Sequence, residues 1–321
     1  MTEREYDIAV VGGGPAGLTA ALYAGRALKR TLLLEAGLPG GELLNTEAIE
    51  DYPGFASITG PELASKMAEH ALSFGAELVS ARVSSIVPLP DGRQRIQVED
   101  GEPYYAKAVI VTAGGQPRKL DVPGEEEYAG RGVSYCAVCD GAFFRGEHLA
   151  VVGGGDAAIE EAAFLTRYAS KVTVIHRREE FRAQPLLVER ARQNPKIEFL
   201  LDTVVEEIAG DGSRVTSLRL RHVRTGERSE FPVGGGFIFV GFIPNTQLVA
   251  GHVDHDPQGY YLTDANMRTS IPGIFAAGDV RAQLTRQVTT AVGDGTTAAI
   301  AATKYVEEEL AETEMAAVGA G

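Results

Sequence analysis

Cysteine is scarce in this chain: 321 residues contain two, Cys136 and Cys139, three positions apart. That count excludes the disulfide framework of a secreted mini-domain. It also leaves a tetrahedral zinc site short of ligands, and the six histidines offer no pair at metal spacing; His252 and His255 fall in a polar loop, VAGHVDHDPQGYY. Long apolar runs are missing as well. Nothing approaches the roughly 18 consecutive apolar residues of a transmembrane helix, and the N-terminus, MTEREYDIAV, lacks the charged–apolar–small layout of a secretory signal. The expectation is a cytoplasmic protein without a membrane partner. Positive charge is in deficit, with 30 Lys and Arg against 44 Asp and Glu, a net charge of −14 and an isoelectric point near 5.0. An acidic surface repels phosphate backbones, so nucleic acid is not an expected partner.

What is abundant is glycine: 38 residues, against the roughly 22 that average usage gives for this length. The glycines cluster, and two clusters repeat. Residues 10–17 read VVGGGPAG and residues 151–158 read VVGGGDAA; each ends an apolar run and opens an Ala-rich stretch. Strand, tight turn and helix form the context in which such a motif binds a dinucleotide pyrophosphate on backbone N–H groups at a helix N-terminus. In the first copy Gly12 permits the turn, Gly14 lets the backbone approach, and Gly17 lets helix and strand pack. A ribose acceptor belongs about 20 residues further on, where Glu35 ends TLLLE. The second copy, Gly153, Gly155 and Ala158, is followed at the matching strand end by His176, Arg177 and Arg178, with Arg182 close behind. A carboxylate would repel a ribose 2′-phosphate, whereas arginines bind it bidentately. The first copy therefore suits FAD or NAD and the second NADP. The plain alternatives are an unliganded glycine turn and a solvated basic strand end.

Around these motifs the pattern predicts helices over residues 18–28, 61–74, 157–168 and 294–310, strands over 31–34 and 172–175, hairpins within 82–112, and a frayed tail. The chain divides into residues 1–115, an inserted domain over 116–245, and residues 246–321, which complete the first domain. The fold class is α/β, with two doubly wound, Rossmann-like nucleotide-binding domains. The only cysteines form a CxxC followed by Asp140-Gly141. That spacing allows a short-loop disulfide and favours a thiolate, and Asp140 could exchange a proton with a departing thiolate; its plain alternative is a turn residue.

CAVCDG, the two glycine motifs, HRREEFRA and TSIPGIFAAGDV together resemble the low-molecular-weight, bacterial-type thioredoxin reductases, from about residue 5 to residue 310. The CxxC precedes the second glycine motif, unlike glutathione-reductase-like enzymes, which carry theirs in the FAD domain. The resemblance implies FAD in the outer domain, NADPH in the inserted one, thioredoxin as partner, and a homodimer. It implies that Gly278 and Asp279 contact the ribitol and pyrophosphate region, that Arg286, Gln287 and Val288 form a turn beside the flavin, and that Gly40, Gly41 and Glu42 lie near the adenosine and phosphates. Glu42 stands where the family commonly has Gln, and Asp51 where it often has Asn. Cys139 would face the flavin and Cys136 attack the partner, with the inserted domain rotating between half-reactions about Gly114, Gly115, Pro117, Gly241 and Pro244. Ala142, Phe143 and Phe144 occupy the place of a docking knob, and Arg131 that of a docking residue. The other readings are a flavoprotein reducing a different disulfide, a ferredoxin– or flavin–NADP reductase, and a redox-sensing module that is not an enzyme.

Overall fold

The computed structural model describes residues 4–46, 48–249 and 253–319, the last stretch without side chains beyond residue 308. His252 lies outside the described residues. The chain forms two compact units: one comprises Met1–Gln116 and Pro244–Gly321, the other Pro117–Ile243.

In the first unit, β1 (Glu5–Val11) leads into α1 (Pro15–Arg26) and β2 (Thr31–Glu35). The helix begins at Pro15, earlier than the apolar period suggests, because Gly14 caps it and proline is preset for the first helical position. It stops at Arg26, two residues before Leu28 adopts a left-handed φ of 56°. Next come α2 (Gly60–Leu72), capped by the Thr59 hydroxyl, and β3 (Glu77–Ser80). The β3 strand is short and largely exposed, so no alternation betrays it in the sequence. The meander β4 (Val83–Pro88), β5 (Gln94–Val98) and β6 (Tyr104–Val111) follows. Strand order is β3-β2-β1-β6-β5-β4, with β3, β2, β1 and β6 parallel and the last two strands antiparallel.

The crossings between the units, β7 (Gly115–Pro117) and β16 (Phe242–Pro244), pair with each other. The second unit holds β8 (Val133–Ser134), α3 (Ala137–Asp140), β9 (His148–Gly153), α4 (Asp156–Leu165), β10 (Lys171–Ile175), α5 (Pro185–Gln193), β11 (Ile197–Leu200) and the strands β12 (Thr203–Gly210), β13 (Val215–His222), β14 (Arg228–Pro232) and β15 (Gly235–Phe239). A parallel sheet in the order β11-β10-β9-β15-β8 carries the glycine turn, and β12-β13-β14 form a separate antiparallel sheet. The α5 helix is unannounced by pattern, because among its nine residues only Ala191 is buried.

Back in the first unit, β17 (Ile274–Ala276) joins the sheet parallel to β6 and leads to α6 (Val288–Gly319). The α6 helix is longer at both ends than the pattern predicts. The backbone of the AETEMAAVG stretch is helical, in keeping with its Ala- and Glu-rich, proline-free composition. Its middle packs on α1 through a seam of small residues, Ala16, Ala20, Ala24, Ala298 and Ala302. That closeness is obligatory: a Cβ at Gly295 would collide with the Ala16 carbonyl. Among the described residues no helix is long and apolar enough to cross a membrane.

Candidate active site

The first glycine turn opens a cleft within the first unit. Gly12 has φ of 108°, and a Cβ there would strike the Thr112 carbonyl and come within 3.0 Å of Ala113 Cα. Only glycine serves at this turn, which carries the chain from β1 over the end of β6. No side chain caps α1, no acid occupies its first turn, and Pro15 contributes no N–H. The positive end of the helix dipole is thus left for an anion. Glu35, at the end of β2, accepts from Gly13 N–H at 2.6 Å and Gly37 N–H at 2.7 Å. Those bonds orient the carboxylate and leave lone pairs for a ribose hydroxyl.

The cleft, about 320 Å³, gathers Gly12, Gly14, Glu35, Gly41, Glu42, Gly278, Asp279, Arg286, Gln287 and Val288. Gly17, Gly40 and Asp51 are not in its lining. Gly17 serves packing, since a Cβ there would lie 2.7 Å from Thr112 Oγ1. Gly40 donates its N–H to the Gly13 carbonyl at 2.8 Å and so seats the neighbouring turn. Asp51 is exposed. A second hollow of about 450 Å³ shares Gly12, Glu35 and Ala113 with the cleft and extends past Glu35 to Ala36, Arg82 and Val83. The end of α6, at Val288, also borders the cleft, so a second helix N-terminus lies at its wall. A long ligand with a diphosphate in its middle fits this cradle of backbone and helix ends.

Besides Glu35, two more carboxyls line the cleft. Burial pushes Asp279 up to about 6, against the pull of Arg286 and with further push from Glu42 and Asp294. Glu42 is solvent-accessible yet ringed by the cleft wall, and that enclosure raises its pKa although Asn45 donates to it at 3.3 Å. Arg286 lies over the Tyr260 ring, 4.1 Å from its centre. Behind the Gly278 turn stands a pair that sequence reasoning missed. Arg281 Nη1 reaches both Asp294 oxygens at 3.2 Å, and the Gly278 N–H donates to Asp294 Oδ2 at 3.2 Å. The one available signal was an acid inside an otherwise Gly/Ala-rich helix, GDGTTAA.

The second glycine turn lies wholly within the second unit. β9 ends at Gly153, Gly155 caps α4, and buried Ala158 takes the place of the third glycine. His176 departs from its expected role as a nucleotide contact. It is 6% exposed, stacks on Phe181 at 5.2 Å, and bonds the Glu180 carbonyl through Nε2 at 3.1 Å. Burial, aided by Arg178, Arg182 and Arg177, lowers its pKa, so the ring is a neutral floor beneath the turn and not a phosphate cation. Arg177, Arg178 and Arg182 are exposed and form no ion pair with the described residues. The Arg182 N–H donates to the Gly154 carbonyl at 2.8 Å, folding the basic segment back onto the glycine turn. The positive charge beside this turn therefore rests on three arginines.

In the same unit Cys136 and Cys139 form a disulfide. Cys136 is the N-cap of the one-turn α3, and its Sγ accepts the Cys139 N–H at 3.1 Å. Cys139 is exposed, whereas Cys136 and Asp140 are half-buried. Asp140 closes the turn, its N–H on the Cys136 carbonyl at 3.2 Å. The two phenylalanines that follow divide their tasks. Phe144 packs edge-on against Phe237, while Phe143 is 83% exposed. Arg131 spends its guanidinium on the carbonyls of Gly212 and Glu127.

The sequence matches the pyridine nucleotide-disulphide oxidoreductases over residues 6–295, and the chain belongs to that family. Similar relatives within it are thioredoxin reductases. That of Listeria innocua is 51% identical over 307 residues, covering 95% of each chain. That of Bacillus subtilis is 49% identical, covering 95% of this chain and 96% of its own. The crystal structure of Lactococcus lactis thioredoxin reductase in its FR conformation is 49% identical, covers 94% of this chain and 99% of its own, and superposes with a TM-score of 0.93.

Proposed function

We propose that this protein is an NADPH-dependent reductase of thioredoxin, with FAD in the cleft of the first unit and NADPH at the second glycine turn. The observation that carries the reading is the redox disulfide built into the same unit as the basic, NADP-type glycine turn, while in the other unit an acid at the end of β2 bonds the glycine turn. The roughly 50% identity to thioredoxin reductases supports it. FAD, when bound, supplies the two-electron chemistry that links NADPH to the disulfide. Glu35 would hold the adenosine ribose, the turn at Gly12–Gly14 the diphosphate, and Asp279 with Gly278 the ribitol. Arg177, Arg178 and Arg182 would hold the 2′-phosphate.

The last transfer belongs to the chain's own sulfurs. In the dithiol form the Cys136 thiolate attacks one sulfur of the partner's disulfide, and the departing thiolate takes a proton, for which Asp140 is the nearest acid in sequence. The Cys139 thiolate then displaces the second partner sulfur, restoring the Cys136–Cys139 disulfide and releasing a partner dithiol. Phe143, standing out of the surface four residues beyond Cys139, is a natural contact for that partner. NADPH and the disulfide belong to one unit and FAD to the other, so the second unit must turn between half-reactions about the paired crossings. The deciding assay is NADPH consumption by the yellow protein with and without thioredoxin and insulin. Thioredoxin-dependent consumption is expected. Consumption that ignores thioredoxin and survives loss of both cysteines would make the protein a flavin reductase instead.

A further inference from the structure

The second unit buries one carboxylate that the mechanism above leaves idle. Glu125 is 1% exposed. It accepts three hydrogen bonds: from Leu120 N–H at 2.9 Å, from Asp121 N–H at 2.7 Å, and from the Tyr135 hydroxyl at 2.7 Å. A buried carboxylate persists only when it is satisfied in this way. Leu120 and Asp121 follow the crossing strand β7 after Arg118 and Lys119, and Asp121 holds a left-handed φ of 57°. Tyr135 immediately precedes Cys136. Burial and the adjoining Glu125 push the Tyr135 phenol up, so it stays a donor at working pH.

We propose that the Glu125–Tyr135 bond is a strut that positions Cys136 for attack on the partner's disulfide. On one side of Cys136 the backbone is fixed twice. Ser134 is locked in register with Phe237 of β15 and bonds the Cys136 N–H through its hydroxyl at 3.1 Å, and Tyr135 is held by Glu125. On the other side α3 hangs on Cys136 itself, through Cys139 N–H to Cys136 Sγ and Asp140 N–H to the Cys136 carbonyl. When the disulfide opens, the contact to Sγ is the one that changes, while the anchors of residues 134–136 do not. The two cysteines therefore differ: Cys136 stays placed, and Cys139 is the one able to shift between donor and mixed disulfide. Glu125 and Tyr135 are positioning residues and touch no reacting atom.

This inference rests on the proposed function and deepens it. The test compares the FAD-loaded full chain with Tyr135→Phe, which removes one hydroxyl, and Glu125→Gln, whose amide NH₂ must face either the Asp121 N–H or the Leu120 N–H and Tyr135 hydroxyl and can accept from neither set. Three rates are measured: flavin bleaching by NADPH, turnover of a small disulfide dye, and kcat/KM for thioredoxin. Each variant should lose about tenfold in kcat/KM for thioredoxin, the scale of a small misplacement of reacting atoms. Flavin bleaching and dye turnover should stay within about twofold of the unaltered chain, because neither requires Cys136 to meet a docked protein. Unchanged thioredoxin kinetics in both variants would overturn the strut. So would parallel losses in all three rates together with a lowered Tm, the signature of a merely structural pair. An unaltered chain that turns over the dye but never thioredoxin would instead overturn the functional reading, and the strut with it.

Discussion

The Asp279 carboxyl offers a stability measurement that needs no substrate. Its pKa stands near 6 in the folded, flavin-free chain against an ordinary 3.8. Between those values the folded state holds the proton that the unfolded state has released. Stability from this group is therefore complete at low pH and is lost as pH rises through 6. At 1.36 kcal/mol per unit, the full penalty is about 3 kcal/mol by pH 8, and at pH 5 about half of it remains. Asp279→Asn keeps the shape and removes the charge. In the flavin-free protein it should raise Tm by several degrees near pH 8, on the usual scale of a few degrees per kcal/mol, and by clearly less near pH 5. Scanning calorimetry at the two pH values measures the contrast, and any cost of the new amide is common to both. A Tm increment independent of pH, or a destabilisation at pH 8, would refute the reasoning. The physical content is that the cleft stores the cost of burying the Asp279 charge, with a smaller push from Glu42 and Asp294, against the pull of Arg286.

Neutralising Arg177 and Arg178 together should lower kcat/KM for NADPH on the order of tenfold to a hundredfold, the exposure of both guanidiniums limiting the effect, and leave NADH nearly unchanged; equal losses for both nucleotides would remove the 2′-phosphate assignment. Cys139→Ser should still bleach its flavin with NADPH but, lacking the disulfide, pass no electrons on to thioredoxin, and Cys136→Ser should retain a thiol at position 139 and lose thioredoxin reduction. Wild-type thioredoxin turnover by either variant would end the dithiol mechanism. A verified cross-link between the two units should abolish turnover while FAD remains bound, and full activity in the linked protein would sink the rotation hypothesis.

How much of this was legible in the residues follows from the range of the forces involved. The strand–turn–helix units at Gly12 and Gly153, the acid at Glu35, the basic segment after β10 and the CxxC turn are local. Backbone sterics and alternation determine them within about twenty residues, so the sequence by itself determined the α/β class and the local geometry of each motif. The limits of α1 and α6 were read less well, because apolar periodicity marks the buried middle of a helix and not its caps. The β3 strand and the α5 helix were silent because they bury too little to impose a pattern. Only the tertiary structure decided which distant residues meet. The chain returns after β17 to set Gly278, Asp279 and Val288 into a cleft begun by Gly12, and Arg281 finds Asp294 behind it. His176, which reads as one more cation in HRR, becomes a neutral ring because folding places it beneath Gly154 and against Phe181. Glu125, one acid among three in GEEEYAG, is the one that folding removes from water and sets on Tyr135. Burial and partnership of a charged side chain are properties of packing between segments, and no local spacing encodes them.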